Sequence, residues 1–212
     1  MTPADNDRTP PTHETDSEQA ISDAAAAVRN GNAVVYPTET VYGLGADATD
    51  PEAVDRVFEL KNRPYDKPLS VAFVDRETAF EYTNPTDREQ EFINQFLPGP
   101  VTVIVDRKPT LPDILTSGRS RVGVRIPANE TALELCRAAG PITATSANVS
   151  GNPSVRLPTD LSPSIRDRVG AVIDTGQTAG TESTVVDIEA GEIHRRGACI
   201  EEIEAWLEAN TQ

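Results

Sequence analysis

Apolar residues along this chain recur with two periods, and the boundaries between them are marked by prolines, glycines and capping residues. Continuous or alternating apolar runs predict strands at 33–36, 69–74, 101–105, 122–126, 142–145, 171–174, 183–188 and 192–194. Between them, apolar positions three and four apart predict helices. The first starts at Thr15, with Glu18 three residues on as a capping box, and runs through Ile21 and Val28 to Gly31. Asp50-Pro51 supplies a cap and a first-turn proline to the second, and Ala53, Val54, Val57, Phe58 and Leu60 give it apolar faces. Further helices are expected at 76–82, at 86–96 behind a Thr86/Glu89 capping box, from Asn129 to near Gly140, and at 200–209. No repeat or linker divides this alternation. It predicts an α/β fold: one domain over 16–212 with a mixed sheet, preceded by a polar, proline-bearing, disordered acidic tail over 1–15.

Against this pattern the stretch Tyr36-Pro-Thr-Glu-Thr-Val-Tyr-Gly-Leu-Gly-Ala-Asp47 makes poor sense as core. A buried strand stops at Pro37, and two threonines, a carboxylate, Gly43 and Gly45 follow it. The glycines would let the backbone turn sharply or approach a ligand closely. A strand ending in hydroxyls and glycines is where an α/β protein would bind an anion. One helix later comes Lys61-Asn-Arg63-Pro64, followed by Asp66, Lys67 and Pro68. Lys61 and Arg63 either complement the helix dipole or grip a polyphosphate, Arg through its planar fork and Lys as a point charge. Ser146 and Asn148 follow a buried strand and serve either turn chemistry or a site. Arg125 interrupts the apolar strand Val122-Gly-Val-Arg-Ile126, and a cation there calls for an anion, best a carboxylate. Ser183, Thr184 and Arg195 either line the same cleft or decorate strand ends.

Composition narrows the chemistry. The 212 residues suffice for one packed domain, and with 37% hydrophobic residues, five Phe and one Trp, the core must be mainly aliphatic. No apolar run approaches the roughly 20 residues needed to span a bilayer, and no basic-then-apolar leader opens the chain, so a cytoplasmic location is expected. Cys136 and Cys199 make no disulfide framework, and no Cys/His cluster suggests a metal. The formal net charge is −15, and Lys61, Lys67 and Lys108 are the only lysines. An acidic, lysine-poor surface points to a halophilic, salt-rich cytoplasm, where a Debye length of about 3 Å at 1 M limits self-repulsion; an ordinary acidic protein is the alternative. Such a surface also argues against nonspecific nucleic-acid binding as the main task. There is no GxxxxGK[ST] loop, no third glycine for a dinucleotide fingerprint, and only His13 and His194 for a triad. What remains is catalysis by positioning and charge neutralisation, as in phosphoryl or nucleotidyl transfer.

The motifs then resemble a known family. Tyr36-Pro-Thr-Glu-Thr-Val-Tyr-Gly-Leu-Gly45, Lys61-Asn-Arg63-Pro64, Pro98-Gly-Pro-Val-Thr102, Val124-Arg-Ile-Pro127, Thr145-Ser-Ala-Asn148 with Ser150-Gly151, and Glu182-Ser-Thr184 occur in the order of the YrdC-like domain of threonylcarbamoyl-adenylate synthases. The resemblance implies a single YrdC-like domain, a twisted mixed sheet flanked by helices around a concave cleft, in the short form without an extra C-terminal domain. It implies ATP, L-threonine and bicarbonate as substrates, Mg²⁺ accompanying ATP, and threonylcarbamoyl-AMP and pyrophosphate as products. A downstream tRNA-modifying transferase complex would take up the adenylate, with weak tRNA binding as a further expectation.

By position, the family's catalytic quartet falls on Lys61, Arg63, Ser146 and Asn148, which would also hold ATP together with Lys67, Arg121 and Arg195. The threonine site falls on Thr40, Arg125, Ala144 and Ser183, with Arg125 as carboxylate clamp, and Gly43 and Gly45 become turn and packing residues. Three positions depart from some relatives: Ala72 stands in place of a histidine, Lys67 of an asparagine and Arg121 of a threonine. The alternatives are an RNA-binding YrdC-like module without turnover and a relative that handles a carbamoyl-adenylate.

Overall fold

Capping residues set the helix ends. Asp50 accepts from the Glu52 N–H at 2.9 Å and opens α2 (Pro51–Lys61), following α1 (Glu18–Arg29). Helix α2 stops at Asn62, whose backbone is left-handed at φ 46°. A short helix α3 (Arg76–Tyr82) leads to α4 (Asp87–Phe96), where the capping box is complete: the Glu89 N–H donates to Thr86 Oγ1 and the Thr86 N–H to Glu89 Oε2. Asn129 caps α6 (Glu130–Ala139), and α8 (Ile200–Ala209) closes the chain. Two single-turn helices, α5 (Asp113–Thr116) and α7 (Pro163–Arg166), were not expected from the sequence, because four residues carry too little periodicity to register.

The computed structural model describes residues 12–14 and 18–210. Among these, ten strands form one mixed sheet: β1 (Thr12–Glu14), β2 (Val34–Tyr36), β3 (Gly43–Gly45), β4 (Ser70–Ala72), β5 (Val101–Asp106), β6 (Arg121–Arg125), β7 (Ile142–Ser146), β8 (Ala171–Asp174), β9 (Thr184–Asp187) and β10 (Glu192–Arg195). Their spatial order is β1-β8-β2-β3-β7-β4-β6-β5-β9-β10. Pairs β1/β8, β2/β8, β4/β6 and β5/β9 are parallel, and the rest antiparallel. Thr12–Glu14 pair as a strand inside the segment expected as tail; the rest of that tail, with the Thr15 cap, lies outside the described residues. The sharp turn expected at Gly43 and Gly45 is instead strand β3. The glycines make room for the Tyr36 ring, since a Cβ on Gly43 would stand 2.7 Å from Tyr36 Cζ and one on Gly45 2.9 Å from Tyr36 Cε1.

The two faces of the sheet are covered unequally, and this makes the site. On one face Val35, Leu44, Val103, Val122, Val124 and Val186 pack with α2, α4 and α8 into the larger core. On the other, Val34, Tyr36, Ala72, Ile142, Ala171 and Ile173 pack against α1 and α6. That cover does not extend across β6, β5 and β9. Strand β6 alternates accordingly: Val122 and Val124 are buried, while Arg121, Gly123 and Arg125 face the uncovered side. Arg125 therefore does not interrupt a core strand, as the sequence suggested; it belongs to the polar face of a period-2 pattern. No helix among the described residues is long and apolar enough to cross a membrane.

Candidate active site

The bare half of the sheet is the floor of a cavity of about 800 Å³. Alternate residues of three strands make that floor: Thr102 and Ile104 of β5, Arg121, Gly123 and Arg125 of β6, and Val185 and Asp187 of β9. Its walls are the segment after β2, the basic loop after α2, the end of β7, and Arg195 of β10. Gly123 keeps the middle open, because a Cβ there would lie 2.4 Å from Ser70 Oγ and 2.9 Å from Thr102 Cγ2.

One end of the cavity is built around Arg125. Its Nη2 donates to Thr40 Oγ1 at 2.7 Å and to Glu39 Oε1 at 2.9 Å. Thr38 fixes this segment by donating to the Val41 carbonyl, with its Oγ1 2.8 Å from Thr40 Oγ1. Arg125 Nε and Glu39 Oε2 are buried and have no partner in the protein. Both atoms are sealed from solvent, and Glu39 does not line the cavity; what the cavity is offered is the Arg125 guanidinium itself, a cation suited to a carboxylate. Ala144 lies on the same wall. Ser183, 2% exposed, lines the cavity with its hydroxyl accepting from Arg195 Nη2 at 2.7 Å.

The other end is cationic. The left-handed Asn62 ends α2 so that Lys61 turns inward and Arg63 turns to the cavity. Lys61 is 1% exposed; its Nζ donates to the Ser146 carbonyl and, at 2.6 Å, to the Asn148 carbonyl. Burial, then the like charge of Arg63, pulls its pKa down to about 7, against the opposing pull of Glu182. Arg63 staples the basic loop through Nε to the Lys67 carbonyl and Nη2 to the Pro68 carbonyl, both 2.8 Å. Lys67 is exposed at the rim. Arg195 donates to the Ser183 carbonyl at 2.9 Å and pairs with Glu182 at 3.1 Å. Burial and, secondarily, Arg195 lower the pKa of Arg63, which stays charged.

The expected quartet is thus brought together, though not on one surface. Arg63 and Ser146 line the cavity, while Lys61 and Asn148 stand behind them. Asn148 holds its own loop, Nδ2 donating to the Val149 and Asn152 carbonyls, which is the turn chemistry that was the alternative for it. Arg121 lies on the floor, but both its terminal nitrogens are taken: Nη1 pairs with Asp187 at 3.0 Å, and Nη2 with Glu89 and the Ile104 carbonyl. Ala72 is buried next to the cavity without lining it and offers no polar group there. The sequence missed Glu182, which accepts from Ser154 Oγ as well as pairing with Arg195, and Glu39, the counter-ion of Arg125. Glu39 had a signal, as a lone carboxylate between two buried threonines; for Glu182 only the fold brings the partners near.

A family model named Sua5/yciO/yrdC and described as "Telomere recombination" matches residues 26–197. The chain belongs to this family. Among Sua5/YciO/YrdC relatives, the threonylcarbamoyl-AMP synthase of Pyrococcus abyssi is 40% identical over 174 residues, which are 81% of this chain and 51% of that protein. The threonylcarbamoyl-AMP synthase of Klebsiella pneumoniae is 34% identical over 84% of this chain and 96% of its own length. The chain spans about half the length of the Pyrococcus abyssi and Bacillus subtilis relatives it matches. A crystal structure of P. abyssi Sua5 complexed with L-threonine superposes with a TM-score of 0.84 at 39% identity, covering 90% of this chain and 58% of that one. The twisted mixed sheet and its concave face are those of this family.

Proposed function

We propose that this chain is a threonylcarbamoyl-AMP synthase, consuming ATP, L-threonine and bicarbonate and releasing pyrophosphate. One observation carries the reading: a single cavity holds a guanidinium suited to a carboxylate, Arg125 braced by Thr40 in the wall and by Glu39 outside the lining, and a cationic end formed by Arg63, Lys67 and Arg195. Its volume sits inside the range of about 300–1,000 Å³ usual for small-molecule sites.

Arg125 binds the α-carboxylate of threonine, with Thr40, Ala144 and Ser183 around it. Threonine's amine and bicarbonate condense to a carbamate and water. A carbamate oxygen then attacks the α-phosphorus of ATP, and the P–O bond to the β-phosphate breaks. Arg63, Lys67 and Arg195 take the developing charge on pyrophosphate, with Ser146 beside them in the lining and Lys61 and Asn148 bracing the site from behind. Arg121 contributes to the nucleotide end as part of the floor. The described residues include no cluster of three His, Cys, Asp or Glu, and Glu182 and Asp187 are already paired with arginines, so Mg²⁺ fits as a companion of the triphosphate oxygens rather than in a protein cage. The adenylate is labile and would pass to a tRNA-modifying transferase complex in the cytoplasm.

Pyrophosphate release tests this. It should require ATP, threonine and bicarbonate together, and Arg125→Ala should raise KM for threonine far more than KM for ATP. Release that is indifferent to threonine would refute the assignment.

A further inference from the structure

One buried hydroxyl of the cavity takes no part in the chemistry proposed above. Tyr36 ends β2 with 2% of its surface exposed, and it is part of the cavity lining beside Gly43, Arg125 and Ala144. Its ring is clamped flat across β3: a Cβ on Gly43 would stand 3.1 Å from the phenol oxygen as well as 2.7 Å from Cζ. Glycine at both 43 and 45 makes this placement available, so the ring is fixed by packing. Among the described residues the phenol has no hydrogen-bond partner, although buried tyrosine hydroxyls usually find one.

Three neighbouring hydroxyls already have partners in the protein. Thr38 donates to the Val41 carbonyl, Thr40 accepts from Arg125 Nη2, and Ser183 accepts from Arg195 Nη2. Arg125 is close enough to act electrostatically on the phenol, and burial, with Cys136 and Glu39, outweighs it and raises the phenol's pKa. The O–H is therefore intact at any working pH and can both donate and accept.

We propose that Tyr36 is the specificity-determining residue that reads the side-chain hydroxyl of the amino-acid substrate. The assignment rests on the threonine-dependent function proposed above and deepens it. With the α-carboxylate on Arg125, the β-carbon lies two bonds from the carboxylate carbon, and the phenol is a lining hydroxyl near enough to feel the charge of Arg125 and without a partner among the described residues. The small Ala144 side chain leaves space for the γ-methyl. A site built to hydrogen-bond a substrate hydroxyl discriminates strongly against the analogue that lacks it, because the protein group is then left unpaired.

Valine is that analogue, with a methyl in place of the hydroxyl. Calorimetric binding and amino-acid-dependent pyrophosphate release are measured for threonine and valine, in the full chain and in Tyr36→Phe, which keeps the ring over the glycines. The wild type should prefer threonine by about 100-fold or more, and Tyr36→Phe should cut the threonine-to-valine ratio roughly 10- to 100-fold. An unchanged ratio in Tyr36→Phe overturns the assignment, as does a wild type that binds valine as tightly as threonine, which needs no variant. A wild type with no threonine-dependent turnover counts against the proposed function instead. The Tyr36 assignment is then read from calorimetry alone, where loss of the threonine preference supports it and retention overturns it.

Discussion

Lys61 combines two opposed demands. Its ammonium is nearly sealed from water and next to Arg63, which lowers its pKa to about 7, yet its Nζ is the donor that holds the Ser146 and Asn148 carbonyls. A neutral amine still donates both hydrogen bonds, so the strut survives deprotonation. Between pH 7 and the ordinary value of 10.5 the unfolded chain holds a proton at this position that the folded chain has released. Stability from this group therefore rises with pH across that window and is flat below it. Lys61→Met removes the titration and orphans two carbonyls. Urea unfolding should show the variant less stable at pH 7, with the gap to wild type widening toward pH 9 at up to about 1.4 kcal/mol per pH unit. A gap that narrows with pH would contradict this account. At this scale the sequence was partly legible. Lys61 and Arg63 stood out beside a proline-bounded loop in a lysine-poor chain, though the helix dipole also accounted for them, and Arg125 stood out in an apolar strand; Tyr36 read as plain core, because an apolar strand hides which ring atom meets a cavity.

At the scale of elements, Arg121 joins four of them. Its guanidinium ties β6 to β9 through Asp187, to β5 through the Ile104 carbonyl, and to α4 through Glu89, itself 1% exposed and part of that helix's capping box. Removing the arginine leaves a buried carboxylate with its main counter-ion gone. Burial already raises the Glu89 pKa against the pull of Thr86 and Arg121. Arg121→Met should cost roughly 3–5 kcal/mol of stability, read as a fall in the urea midpoint, while Glu89→Gln in the same background should recover part of it. A full-strength fold in Arg121→Met with only weakened ATP binding would make the arginine a ligand contact and not a tie. Capping boxes and prolines made most helices legible. Strand β3 was not, since Gly-Leu-Gly carries no β propensity, and its glycines are explained by the Tyr36 ring on the preceding strand rather than by local geometry.

For the whole molecule, the sheet is long enough that α1 and α6 cover only part of one face, and the uncovered strands carry polar residues on that side. Apolar runs and alternation marked every strand except β1 and β3 but not the strand order, which depends on pairings such as β3 with β7 and β5 with β9 between distant segments. The cationic cavity sits in a chain of net charge −15, so the local potential opposes the global one. Self-repulsion among the surface carboxylates is screened as the Debye length falls from about 10 Å at 0.1 M to 3 Å at 1 M. The thermal midpoint should therefore rise steadily with KCl across that range, and a midpoint independent of salt would remove the halophilic reading.

The central claim, that one cavity joins a threonine clamp to a triphosphate grip, is tested most directly by the product itself. The full chain is incubated with ATP, L-threonine and ¹³C-bicarbonate, quenched rapidly, and its adenylates resolved by mass spectrometry. The account predicts an adenylate that contains threonine and one ¹³C, formed in step with pyrophosphate and lost in Arg125→Ala. Pyrophosphate accompanied by an adenylate lacking either threonine or the labelled carbon would contradict it.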